Sequence, residues 1–285
     1  MSLSPKVRPS PDAGIAQDMA PLDRALGLKP LAEQSFSLTT NSIYWNLTGP
    51  FGGWLFAAGA KAILQDPLAL GEPVEAHARF LAAPKEGQVE IRVKRQSQGR
   101  SVAFWRAEIW QDQKGAARLC TEISMLLAAE RPTIDVVTAR PPEVPPPDSL
   151  RVTNTQKARL GWLGLYDLRF VHGAPFAISE PPSMHSIFWA RERAPRKIDW
   201  LGLIALADIV APRSFALQPA REPSSTVAMS VYFTAGAVEL SADHNEWLLV
   251  EVDGHAARRG FFDHYLSIWR GGKLLATSTQ LAWFA

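Results

Sequence analysis

The chain has 285 residues, 47% of them apolar and 20% charged, with a formal net charge of +2. That is ordinary globular composition, enough for one large domain or two of usual size, and the small net charge gives no field that would select nucleic acid or an anionic membrane. The single cysteine, Cys120, excludes an internal disulfide; residues 1–19 lack the apolar core of a signal peptide and no apolar run reaches membrane-spanning length, so the expectation is a cytoplasmic protein.

Gly49-Pro-Phe-Gly-Gly53 opens a run of small and apolar residues, Trp54 to Leu64. Glycines at its start and alanines within predict a helix packed closely on its neighbours. His77-Ala-Arg-Phe-Leu-Ala-Ala83 follows and ends at Pro84. Val89-Glu-Ile-Arg-Val-Lys-Arg95 alternates with period two, which predicts a strand with one wet face. Gly99-Arg-Ser101 makes a turn, and strands are expected from Val102 to Gln111 and from Ala116 to Ala128. The segment Arg131 to Ser149, containing Arg-Pro-Pro-Glu-Val-Pro-Pro-Pro-Asp148, reads as a semi-rigid extended linker. It divides the chain into an N-terminal unit, 1–130, a linker, 131–150, and a C-terminal unit, 151–285. The second unit repeats the order: a helix from Trp200 to Ala211, then strands Ser224 to Phe233, Glu246 to Asp253, Phe261 to Arg270 and Leu274 to Phe284. Faint local matches, Ile109-Trp110 with Ile268-Trp269 and Leu119-Cys-Thr121 with Leu275-Ala-Thr277, suggest a duplication. Each half is then one long buried helix followed by antiparallel strands that wrap it, and two such halves can join edge to edge, hiding sheet edges.

The run Trp200-Leu-Gly-Leu-Ile-Ala-Leu-Ala-Asp208-Ile-Val-Ala-Pro212 sets one carboxylate in an apolar helix. A carboxylate there is costly unless paired or hydrogen-bonded. Asp208 is therefore a candidate catalytic or binding group at the mouth of an apolar pocket; the plainer reading is a helix-end Asp that reaches solvent. From Val227 to Phe233 the apolar side chains share one parity, and Thr226 has the other. Gln280 shares a mostly apolar face with Leu274, Ala276, Ser278, Ala282 and Phe284 and needs partners there. Asp243-His244-Asn245 and Asp263-His264 lack metal-ligand spacing, so no metal is expected. There is no Gly-x-Ser-x-Gly elbow and no phosphate-cradling glycine loop. The ten tryptophans suit an apolar ligand site or simply a Trp-rich core.

Several short motifs, in order, resemble the acyl-CoA thioesterase II family. Phe51-Gly-Gly-Trp-Leu looks like the start of its first central helix. Arg79-Phe-Leu-Ala-Ala-Pro84 is similar to its Phe-x-Arg-Pro strand end but lacks the arginine before Pro84. Gly99-Arg-Ser101 matches its turn, and Leu274-Leu-Ala-Thr-Ser-Thr-Gln280 resembles its last strand. The resemblance runs from about Phe36 to Phe284. It implies an α+β double hotdog: two antiparallel sheets, each wrapped around a long central helix, arranged as an intrachain pseudo-dimer. It also implies a hydrolase of fatty acid metabolism that cleaves acyl-CoA without a cofactor, with Asp208, Thr226 and Gln280 where the family carries its Asp, hydroxyl residue and Gln. Ser225 beside Thr226 is the alternative hydroxyl.

Water is the expected nucleophile, polarised by Asp208 and held by Thr226 and Gln280. A backbone N–H at Gly52 or Gly53, at the first helix N-terminus, would meet the oxyanion. Arg100 and Arg258, with Lys94, Arg95 and Arg259, are candidate contacts for CoA phosphates. The helices and tryptophans would line a tunnel for a medium or long acyl chain. The expected partner is acyl-CoA, with no nucleic acid and no membrane; apolar residues near Trp162 and Leu163 suggest a homodimer or homotetramer. The competing readings are a non-catalytic acyl-CoA or lipid-binding double hotdog and a hotdog hydratase, whose Gly-Asp-x-Asn-Pro-x-His loop this chain lacks.

Overall fold

The computed structural model describes residues 19–46, 49–155, 160–175, 178, 180–217, 223–241 and 246–285; Asp243-His244-Asn245 lies outside them. The chain runs through α1 (Pro21–Ala25), β1 (Lys29–Ala32), β2 (Ser35–Thr39), α2 (Gly52–Leu64), β3 (Glu72–Phe80), β4 (Gln88–Gln98), β5 (Val102–Gln113) and β6 (Ala116–Ala128). The second half has β7 (Tyr166–His172), β8 (Ser186–Glu192), α3 (Trp200–Ala207), β9 (Ser224–Phe233), α4 (Ala237–Leu240), β10 (Leu248–Asp253), β11 (Ala257–Arg258), β12 (Phe261–Arg270) and β13 (Lys273–Phe284).

All strands belong to one sheet, in the order β1-β2-β4-β5-β6-β3-β9-β13-β12-β10-β8-β7, with β11 paired to β12. This corrects the expectation of two sheets. The halves meet where β3 pairs antiparallel with β9, Glu75 opposite Tyr232 through Arg79 opposite Ala228. Joining there satisfies the backbone groups of two strands that would otherwise be open edges.

Alternation decides which face is dry. On β5 the buried residues are Ala103, Trp105, Ala107, Ile109 and Gln111, every second position. These side chains close over α2, whose residues from Gly53 to Ile63 are buried except Lys61. Gly59 lets α2 approach β6: a Cβ there would stand 2.5 Å from Ile123 Cδ1. In the second half α3 lies against β9 and β12 and also packs on α2. Its N-terminus is capped by Asp199, whose carboxylate accepts from Gly202 N at 2.7 Å.

Two expectations about helices need correction. The second central helix is short, eight residues, and ends at Ala207 instead of Ala211. Asp208 is its C-cap, at φ −101° and ψ 4°, so the carboxylate leaves the helix end and does not project from its middle. Pro212 restrains only Ala211, the residue before it, and does not account for an end at Ala207. Trp162 is not an exposed patch: it is 5% exposed and stacks on Phe51 with ring centroids 4.1 Å apart. The end of the Pro-rich linker is docked as well. Trp189 Nε1 donates to Pro145 O at 3.0 Å, and Val144 packs on Ile187, Leu249 and Trp269. That covers the outer face of β8, β10 and β12.

Candidate active site

Asp208, Thr226 and Gln280 come together at the junction of the two central helices. Gln280 Nε2 donates to Asp208 Oδ1 at 2.5 Å and to Thr226 Oγ1 at 2.6 Å. The Thr226 hydroxyl donates in turn to Asp208 Oδ1 at 3.4 Å. The three side chains thus close a hydrogen-bonded ring. On the other side of the carboxylate, Gly53 N donates to Oδ2 at 2.7 Å. That amide belongs to the first turn of α2, where backbone N–H groups have no helical acceptor and the helix dipole favours negative charge.

Thr226 reaches the ring because β9 carries a bulge. Leu281 pairs with Ala228 but Ala282 pairs with Thr226, so Val227 is an extra residue. The bulge shifts the alternation and turns Thr226 to the same face as Met229 and Gln280. Parity counted along the sequence put Thr226 off that face; the bulge overturns it. Ser225 faces the other way and is exposed, so Thr226 is the hydroxyl in the ring.

The paired glycines are explained by close approach. A Cβ on Gly52 would lie 2.8 Å from Asp208 Oδ2 and 3.3 Å from the Phe80 ring. On Gly53 it would lie 2.8 Å from the Phe51 ring and 2.9 Å from Ala205 O. Gly53 N is committed to Asp208, which corrects its assignment as an oxyanion donor. Gly52 N has no acceptor among the described residues.

Burial pushes the Asp208 carboxyl up to about 6, against the hydrogen bonds from Gly53, Gln280 and Thr226, which favour the charged form. The group is therefore ionised at neutral pH yet basic enough to accept a proton. A carboxylate has about four acceptor positions; three donors leave room for a water on Oδ2. Phe80 lies against Gly52, Phe51 against Gly53 with Trp162 stacked on it, and Met229 opposite Gln280.

Arg100 and Arg258 are not brought to this cluster. Both are exposed, in the turn after β4 and on β11. Among the described residues no group of three or more His, Cys, Asp or Glu side chains could hold a metal ion, and no helix is long and apolar enough to cross a membrane. Sequence reasoning missed the bond between Gly53 and Asp208. Its signal was the glycine pair itself, which marks a place where another group comes close.

The acyl-CoA thioesterase C-terminal domain family matches residues 139–284, and the acyl-CoA thioesterase N-terminal domain family matches residues 41–128. No curated protein matches the chain. Among solved structures, a hot dog fold protein of unknown function from Alicyclobacillus acidocaldarius is 28% identical, with a TM-score of 0.86 over 93% of this chain and 97% of the other. A tesB protein from Mycobacterium avium subspecies paratuberculosis is 19% identical, with a TM-score of 0.74 over 93% and 98%. The acyl-CoA thioesterase II TesB2 from Mycobacterium marinum is 18% identical, with a TM-score of 0.72 over 93% and 98%. These likenesses establish a hotdog-type fold built on a large antiparallel sheet.

Proposed function

This chain belongs to the acyl-CoA thioesterase family, and on that premise we propose that it hydrolyses acyl-CoA thioesters to the free acid and CoA by an activated water. The observation that carries the proposal is the ring of Asp208, Thr226 and Gln280 closed onto Gly53 at a helix N-terminus. Asp208 takes a proton from a water held against Oδ2, and the water oxygen attacks the thioester carbonyl. Thr226 and Gln280 fix the carboxylate so that no reorganisation is needed as charge moves. The free N–H of Gly52 meets the oxyanion, and collapse of the tetrahedral species expels the CoA thiolate.

In this reading residues 1–130 and 151–285 are two hotdog units joined by the linker at 131–150, a double hotdog within one chain. Phe51, Phe80, Trp162 and Met229 form the apolar wall that takes a medium or long acyl chain. Arg100 and Arg258 are proposed only as contacts to CoA phosphates away from the reacting atoms. A homodimer or homotetramer is proposed as the assembly, and light scattering on the purified protein measures it.

The test is thiol release from acyl-CoAs from acetyl to palmitoyl, with crotonyl-CoA hydration as a control. Release that depends on chain length supports the hydrolase and reads out its pocket. Tight acyl-CoA binding without release from any substrate refutes hydrolysis and favours a binding protein.

A further inference from the structure

Directly across the strand pair from Gln280 stands His264. Opposite residues of an antiparallel pair share a face, so the imidazole and the Gln280 amide lie side by side on the buried face. Ser278 precedes Gln280 by two residues on that same face and is the diagonal neighbour of His264, a separation that a water can bridge. His264 and Ser278 are each 2% exposed, and neither His264 Nε2 nor Ser278 Oγ has a hydrogen-bond partner among the described residues. Gln280 also has an unused acceptor, though in a less enclosed place, the residue being 8% exposed. Its Nε2 serves Asp208 and Thr226, while no described residue donates to its Oε1.

The surroundings do not supply the missing partners. Arg213, the charged neighbour of His264, spends its donors on Ala211 O, Met184 O and Ser186 Oγ. Burial of the ring, and after it the Arg213 charge, hold His264 far below the usual histidine range, at about 3. The ring is therefore neutral and can both donate and accept. Adjacent unmatched polar groups in a protein interior are where ordered water sits, and such waters make about three hydrogen bonds.

We propose that His264 and Ser278 are positioning residues: with Gln280 Oε1 they hold one buried water, and through it they fix the Gln280 amide with its NH2 turned toward Asp208 and Thr226. An amide free to flip would present its oxygen to the carboxylate, and the ring would open. The water rests on the placement of these three groups; its kinetic consequence rests on the hydrolase reading.

A crystal structure at a resolution that defines ordered waters tests the placement without any assay. A water about 3 Å from His264 Nε2 and Ser278 Oγ is expected; well-defined density with no water between them overturns the proposal. Kinetics test the role. His264→Leu should lower kcat about tenfold with KM unchanged, and His264→Gln should restore most of it. Wild-type kcat in His264→Leu, with equal or higher Tm, overturns the role. If His264→Leu fails to fold, Ser278→Ala decides: it should fold and lose kcat several-fold, and full activity overturns the role. A wild-type protein that releases no thiol refutes the hydrolase reading instead and leaves the crystallographic test standing.

Discussion

Outward from the seam the first half runs β3, β6, β5, β4, β2, β1, and the second runs β9, β13, β12, β10, β8, β7. The two orders correspond strand for strand, and each half packs its sheet on a central helix. Their buried faces differ. On β6 the buried side chains beyond Thr121 are Ile123, Met125 and Leu127; on β13, at the same place in the order, they include Ser278 and Gln280. The helices differ in the same sense. α2 runs thirteen residues, and the aspartate after it, Asp66, accepts locally from Leu68 N at 2.9 Å. α3 stops after eight, and its aspartate, Asp208, accepts from Gly53 N in the other half. One scaffold thus carries an apolar strand face on β6 in the first half and a polar cluster around a carboxylate in the second. Both halves bury polar groups, Gln111 and Thr121 among them in the first, but only in the second do three of them, Asp208, Thr226 and Gln280, bond one another around a carboxylate.

Substitutions that make the second half resemble the first should have a large effect. Gln280→Leu should lower kcat about 100-fold, and Thr226→Val about tenfold, because Asp208 loses the donors that hold it; thiol-release assays measure both. The converse change belongs to stability. Ile123→Ala should cost about 2–5 kcal/mol in denaturant unfolding through the cavity left against Gly59. Turnover per folded molecule should stay unchanged.

Proton titration sharpens the comparison further. The Asp208 carboxyl is raised from 3.8 to about 6, so kcat/KM should rise with pH through about 6 as the base loses its proton. The same shift has a stability sign. A raised carboxyl favours the protonated folded state, so its contribution is present below 3.8 and is lost as pH rises through about 6. Asp208→Asn should therefore be more stable than the wild type at pH 8, by about 3 kcal/mol, with the difference vanishing in acid. Thermal melts at the two pH values check it.

Much of this was legible in the chain. β5, β6, β9, β12 and β13 follow from alternation and turn residues, and the three polar side chains of the ring stood out against apolar neighbours. What escaped was set by partners distant in sequence. Ser186-Ile-Phe-Trp-Ala190 has no clear alternation, because the linker covers the outer side of the sheet there. Thr226 was assigned to the wrong face because a bulge is a property of two strands in register, visible only when β13 lies beside β9. Asp208, just past the early end of α3, bonds an amide 155 residues away, a contact whose one sequence signal, the glycine pair, does not name its partner.

If the site works as proposed, the chemistry belongs to the carboxylate after the second helix and not to its counterpart after the first. Steady-state thiol release from the best acyl-CoA substrate, measured for Asp208→Asn and Asp66→Asn beside the wild type, tests it most directly. Asp208→Asn should lose about 1,000-fold or more in kcat, and Asp66→Asn should keep wild-type turnover. Undiminished turnover in a folded Asp208→Asn protein would contradict it.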